Sequence, residues 1–115
     1  TTSGEVLGLK IRDTDDVGGS ISTLTIHFTN KLNNLFNTYK VQHLRLEGRS
    51  VLTNKCPSGP YRAPMLICSW VTEGTIDAVA RALGLDPVEV RRRNMLDEAD
   101  LPYRTASGLT AIRGL

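Results

Sequence analysis

No stretch of this sequence approaches the ~20 consecutive apolar residues that a membrane-spanning helix needs. The basic N-terminal segment that marks secretion is missing too, so the expectation is a soluble, cytoplasmic chain. The signature of disorder is also absent: 40% of the residues are hydrophobic, and 14 cations against 12 acids leave a net charge of only +2. Such a mild balance lacks the strongly basic face of most nucleic-acid binders. Cysteine is scarce. Cys56 and Cys68 are separated by eleven intervening residues with His27 and His43 far upstream, which excludes a zinc-type cluster and leaves two reduced thiols as the expectation. At 115 residues the chain is too short for two full domains and suits one compact domain or a piece of a larger one. A start at Thr1 without Met favours a processed, trimmed or excised chain.

What is present falls into four regions: strands over 1–55, a loop over 56–66, helices over 67–96 and an irregular tail over 97–115. Val6, Leu7, Leu9 and Ile11 alternate in part, which predicts a strand over residues 4–12. Asp13, Asp15, Asp16, Gly18 and Gly19 should end it as a solvated turn, and their spacing lacks the remaining ligands of a calcium loop. Between residues 20 and 39, Ile21, Leu24, Ile26 and Phe28 alternate weakly while Leu32, Leu35 and Phe36 are helically spaced, consistent with a strand and a short amphipathic turn. Val41, Leu44 and Leu46 on one side of Gly48, and Val51 and Leu52 on the other, predict two short strands meeting at a turn. His43 belongs to the first of these and reads as an ordinary hydrogen-bonded histidine.

The segment from Cys56 to Pro64 holds three of the five prolines and Gly59, which excludes a regular helix or a central strand. A stiff loop between a sheet and a helix is either a carrier of binding groups or a plain connector. A helix follows over 67–83. Ile76, Val79, Ala80 and Leu83 line one face, extended by Trp70 and Val71, while Glu73, Asp77 and Arg81 line a solvated one. Gly84 supplies the left-handed stop. A second helix over 87–95 is announced by Asp86 as N-cap, Pro87 at the first position and Glu89 completing a capping box, with Leu85 and Val90 as its hydrophobic staple. Each such cap contributes ~1 kcal/mol. Arg91, Arg92 and Arg93 offset the helix dipole and are expected to pair with Asp97, Glu98 and Asp100. The fold class is therefore α+β: short, mainly N-terminal strands, then two consecutive capped helices, forming part of a larger domain.

The order and spacing of Thr53-Asn54-Lys55, Gly59-Pro60-Tyr61-Arg62-Ala63-Pro64, Glu73, Ile76-Asp77, Ala80 and the run from Leu83 to Asn94 resemble one known family. It is the large, molybdopterin-binding subunit of the xanthine dehydrogenase, aldehyde oxidase and carbon monoxide dehydrogenase family. The likeness runs from about Val51 to Gly108, and Gly4 to Gly19 is loosely similar to a family strand ending in an Asp-containing turn. The resemblance implies a hydroxylase or dehydrogenase in which molybdenum takes two electrons from a carbon of a small-molecule substrate and inserts oxygen derived from water. It implies that Tyr61, Arg62 and Ala63 are the cofactor-binding residues, with backbone after the aromatic donating to a metal ligand. No catalytic residue and no metal ligand follow, since the family's base lies near the far C-terminus and Glu98 is outside that motif. The implied cofactor is molybdopterin, in its dinucleotide form. The implied partners are the remaining portions of that subunit, plus iron-sulfur and FAD-bearing flavin subunits.

The sequence departs from the pattern in three places. Ala63 stands where copper-containing carbon monoxide dehydrogenases carry Cys, Cys68 lies five residues too late for that role, and Met65-Leu66-Ile67-Cys68 is apolar where a polar stretch is usual. The rival reading from the residues is a helix-turn-helix over Ala80 to Arg91, whose three Arg would meet phosphates; an inactive remnant is the third. Glu89 and the acids from Asp97 onward oppose the nucleic-acid reading. Apolar Pro64, Met65, Leu66 and Ile67 point to a covered surface, so the chain is expected to need a companion or to self-associate.

Overall fold

The computed structural model describes residues 1–20, 34–36, 38–57, 59 and 66–112. Strands β1 (Gly8–Gly18) and β2 (His43–Leu52) pair in parallel, in register from Gly8 opposite His43 to Asp16 opposite Val51, with a bulge before Gly18. Leu9 and Ile11 face the core while Lys10 and Arg12 face outward, the period-two pattern of a sheet with one covered face. That alternation does not stop at Ile11. Asp13 and Asp15 continue it as half-buried positions, so the expected acidic turn is instead the second half of β1. The ladder with β2 supplies backbone partners that outweigh the turn preference of Asp.

β2 corrects a second expectation. It runs unbroken through Gly48, which lies opposite Asp13, where two strands and a turn were expected. A partner strand in register holds glycine extended although the local sequence permits a turn. Of the residues predicted between β1 and β2, Ile21, Leu24, Ile26, Phe28 and Leu32 lie outside the described residues. Leu35 and Phe36 are in the core, at 5% and 4% exposure.

Helix α1 (Leu66–Leu83) starts within one residue of its predicted position. Cys68, Thr72, Ile76 and Ala80 are its buried residues, a stripe repeating every fourth position. Ile76 is fully buried, as is Val90 on the next helix; burial of side chains this size contributes ~1.5–3 kcal/mol each. Val71 and Val79 pack against this cluster, but Trp70 does not extend it, being 76% exposed. Leu83 is at the exposed end of the predicted apolar face, at 38%. The helix ends as a Schellman motif: Gly84 has φ +66, its N–H donates to the Arg81 carbonyl, and the Leu85 N–H donates to Ala80.

Helix α2 (Pro87–Asn94) begins at the predicted cap, with the Asp86 carboxylate accepting from the Val88 N–H. Glu89 does not close a capping box; its carboxylate takes Arg93 at 3.0 Å. The three arginines also part company with the acids that follow them. Arg91 turns inward to Glu73 and Asp77, both at 2.8 Å, and Arg93 also donates to the Ser3 carbonyl. Glu73 and Asp77 are therefore a clamp between the helices rather than a solvated ladder. Asp97 and Asp100 instead close a capping box on a 3₁₀ turn, Glu98–Asp100, and Asp100 pairs with Lys40 at 2.6 Å. The tail holds this turn and a small antiparallel hairpin, β3 (Tyr103–Arg104) and β4 (Thr110–Ala111), so it is not wholly irregular.

The α+β order of strands followed by two capped helices is as expected. Among the described residues no helix is long and apolar enough to cross a membrane.

Two side-chain networks tie the helices to the rest. Asn94, 3% exposed, donates to the carbonyls of Gly4 and Val90 and accepts from the Val6 N–H. The Tyr39 hydroxyl donates to Glu73 at 2.9 Å. Burial, then the bond to Glu73, pushes that phenol up to about 12, so its contribution to stability is complete below its ordinary 10 and fades as pH rises toward 12.

Candidate functional site

The bulge at the end of β1 turns the chain onto the start of the proline-rich loop. Gly18 has φ +73, and a Cβ built there would stand 2.2 Å from the Cys56 carbonyl oxygen and 2.8 Å from the Pro57 Cα. Only glycine accommodates both the dihedral and the approach. The contact is fastened by backbone bonds, with the Thr53 N–H donating to Gly18 and the Gly19 N–H donating to Lys55.

Asp16 locks the same junction from the side. Its carboxylate accepts from the Lys55 ammonium and the Thr53 hydroxyl, both at 2.6 Å, and from the Gly18 N–H at 3.1 Å. The Lys55 bond, followed by those from Thr53 and Gly18, holds its carboxyl at about 2 against an ordinary 3.8. The depressed value means that the clamp stabilises the fold fully above pH ~4 and is lost as pH falls through about 2. Asp16→Asn should therefore lower the melting temperature at neutral pH and flatten its acid dependence between pH 4 and 2. Thermal unfolding followed across that range checks it; an unchanged acid limb would remove Asp16 as the cause.

The end of β1, the end of β2 and the first residues of the loop thus form one braced unit. Tyr61, Arg62 and Ala63, farther along the same segment of the sequence, lie outside the described residues. His43 opens β2 at an exposed position, and its backbone N–H donates to the Leu7 carbonyl. Cys56 is exposed and Cys68 buried, and neither is in a disulfide. Asp16 and Asn94 were not singled out from the sequence as functional. The signal for Asp16 was its place two residues before a Gly-Gly pair, with Thr53 and Lys55 as hydrogen-bonding partners far along the chain.

The family described as the molybdopterin cofactor-binding domain matches residues 1–95. The chain belongs to this family. Quinoline 2-oxidoreductase from Pseudomonas putida 86 is 33% identical, with a TM-score of 0.75 over 98% of this chain and 15% of that one. The gamma subunit of the 6-hydroxypseudooxynicotine dehydrogenase complex of Paenarthrobacter nicotinovorans is 37% identical over 60% of this chain and 9% of its own. The carbon monoxide dehydrogenase large chain of Hydrogenophaga pseudoflava is 26% identical over 94% of this chain and 14% of its own. The chain thus spans 9–15% of the length of these relatives.

Membership in the molybdopterin cofactor-binding family overturns the helix-turn-helix alternative, and the geometry gives the reason. A phosphate-reading helix must present its cations to solvent, whereas Arg91 is spent on Glu73 and Asp77 and Arg93 on Glu89 and Ser3.

Molybdopterin is a polar, phosphate-bearing group, and the described residues do not by themselves fit it. Among them no three His, Cys, Asp or Glu could hold a metal ion. The hollow between sheet and helix, about 270 Å³, is lined by Ile11, Leu35, Leu46, Ile67, Trp70 and Val71 with Arg12, Asp13 and Cys68, a mostly apolar surface unsuited to phosphate. What the described residues provide is a fixed backbone at Thr53–Pro57.

Proposed function

We propose that this chain forms one wall of the active site of a molybdenum hydroxylase of the aldehyde oxidase, xanthine dehydrogenase and carbon monoxide dehydrogenase type, as a single partial domain of the larger subunit. The observation that carries the reading is the brace of Gly18 and Asp16 against the backbone at Thr53–Pro57, in a chain of the molybdopterin cofactor-binding family. A loop that must hold backbone donors toward a metal-bound atom works only if its base does not move, because preorganised polarity costs no rearrangement during reaction.

In this reading Tyr61, Arg62 and Ala63 lie beside the molybdenum centre. When bound, that centre supplies the two-electron oxidation of a substrate carbon. Tyr61 and Arg62 would orient the loop and the backbone after the aromatic would donate hydrogen bonds to a metal ligand, with Ala63 beside them. The cofactor of the complete assembly would be the dinucleotide form of molybdopterin, its partners would be iron-sulfur and flavin subunits, and its setting would be cytoplasmic. A relative named as one subunit of a dehydrogenase complex supports a multi-subunit assembly.

The test uses the complete assembly. Arg62→Ala, and a Val-Val replacement of Ala63-Pro64, should each lower turnover about tenfold or more while leaving the melting temperature within a few degrees. If both variants keep full activity, the loop is only a connector. Metal analysis of the 115-residue chain alone should find no molybdenum, and a stoichiometric metal content would refute the one-wall reading.

A further inference from the structure

The outward face of the β1–β2 sheet concentrates charge. Lys10 and Arg12 on β1 and Arg45 and Arg49 on β2 are exposed there around Glu47, while Asp16, the other acid on this side of the two strands, is offset by its ion pair with Lys55. Four cations and one carboxylate leave three net positive charges on this face, more than the +2 of the whole chain. The rest of the molecule is therefore slightly acidic.

Glu47 shows what the face accepts. One of its oxygens takes Lys10 at 3.2 Å and Arg45 at 2.8 Å, and the other takes Arg12 at 3.0 Å. A single carboxylate satisfies three cations in geometry but neutralises only one in charge. Arg49 meets no carboxylate among the described residues. Beside it is a hollow of about 440 Å³, lined by Arg12, Asp13, Thr14, Glu47, Gly48 and Arg49.

We propose that this face docks an extended acidic segment of another polypeptide, with carboxylates on alternate residues. The charge is complementary. Outward positions along a strand recur every ~6.6–6.8 Å, the same repeat as side chains on one side of an extended partner, and the hollow lined by Arg12 and Arg49 has room for one partner side chain. A phosphate-based polymer is the rival occupant, and the test below separates the two. This surface is independent of the cofactor reading, since it lies on the side of the sheet away from the core.

Fluorescence anisotropy of the full chain with a labelled ten-residue peptide of alternating Glu and Thr tests it, at concentrations where light scattering shows no self-association. The peptide should bind, and binding should weaken as salt rises. Arg45→Glu and Arg49→Glu should each weaken it about tenfold. Arg49→Glu removes no ion pair of the fold, which separates docking from stability. Glu47→Gln should tighten binding several-fold by removing the internal competitor, and Arg92→Glu on α2 should leave it unchanged. The proposal fails if the peptide does not bind, if Arg49→Glu binds as well as the parent, or if Arg92→Glu weakens binding equally. It also fails if a ten-nucleotide oligothymidylate binds more tightly than the peptide. Light scattering that showed copies of the chain pairing through this face, with Arg45→Glu separating them, would assign it to self-association and overturn the proposal as well.

Discussion

Asn94→Ala should cost about 3–4 kcal/mol in urea unfolding, a large share of the ~5–15 kcal/mol that holds a domain of this size together. The side chain is 3% exposed and makes three bonds of 2.7–2.8 Å: its amide donates to the carbonyls of Gly4 and Val90, and its oxygen accepts from the Val6 N–H. Alanine removes all three and strands the Gly4 and Val6 backbone groups, each at roughly 1–3 kcal/mol when water cannot reach them. Asn94→Asp should be no better, because an oxygen would then face the Gly4 and Val90 carbonyls where a donor is required. Arg92→Ala, two residues earlier at an exposed position of α2, should cost under about 1 kcal/mol. Equal losses at the two positions would show that Asn94 holds nothing special.

The second large effect is at Gly18. Gly18→Ala places a methyl group where the Cys56 carbonyl already is, 2.2 Å away, at a φ of +73. The dihedral alone costs ~1–2 kcal/mol in an L-residue. The clash must in addition be relieved by moving backbone, so a total of about 3 kcal/mol or more is expected. Gly84→Ala is the control: its φ is +66, and nothing lies within 4 Å of the added methyl group. It should show the dihedral cost alone. A second readout separates loop displacement from loss of stability: trypsin should cut after Lys55 faster in Gly18→Ala at a temperature where both proteins remain folded. If Gly18→Ala matches Gly84→Ala in both measurements, the loop base is not braced at this point.

Local chemistry was legible where it decides the structure locally. The stop at Gly84, the cap at Asp86 and the helix over residues 67–83 depend on neighbours within one turn, and the sequence displays them. Trp70 shows the limit of periodicity, which marks a stripe but not its width; the described core covers Val71 and leaves Trp70 in solvent. Where the partner is distant, the sequence misleads. Asp13 and Asp15 resemble a turn until β2 lies beside them, and Gly48 resembles a break until Asp13 is opposite it. The same holds for the site. Asp16 and Thr53 are separated by 37 positions, and nothing in either segment announces that one accepts the other's hydroxyl. The loop with Tyr61, Arg62 and Ala63 was identified through resemblance rather than from its composition, because a proline-rich connector and a cofactor-holding loop have the same local make-up.

The closure at Asn94 also bears on synthesis. Its partners Val6 and Gly4 are 88 and 90 residues earlier in the chain, so the N-terminal segment cannot be secured when it is made. At translation speeds of ~5–20 residues per second, it waits roughly 4–18 s before Asn94 has even been added. During that interval β1 can find β2, but the strand's leading end has no anchor. A ribosome that stalled before Asn94 would leave the segment around Gly4 and Val6 without the side chain that fixes it.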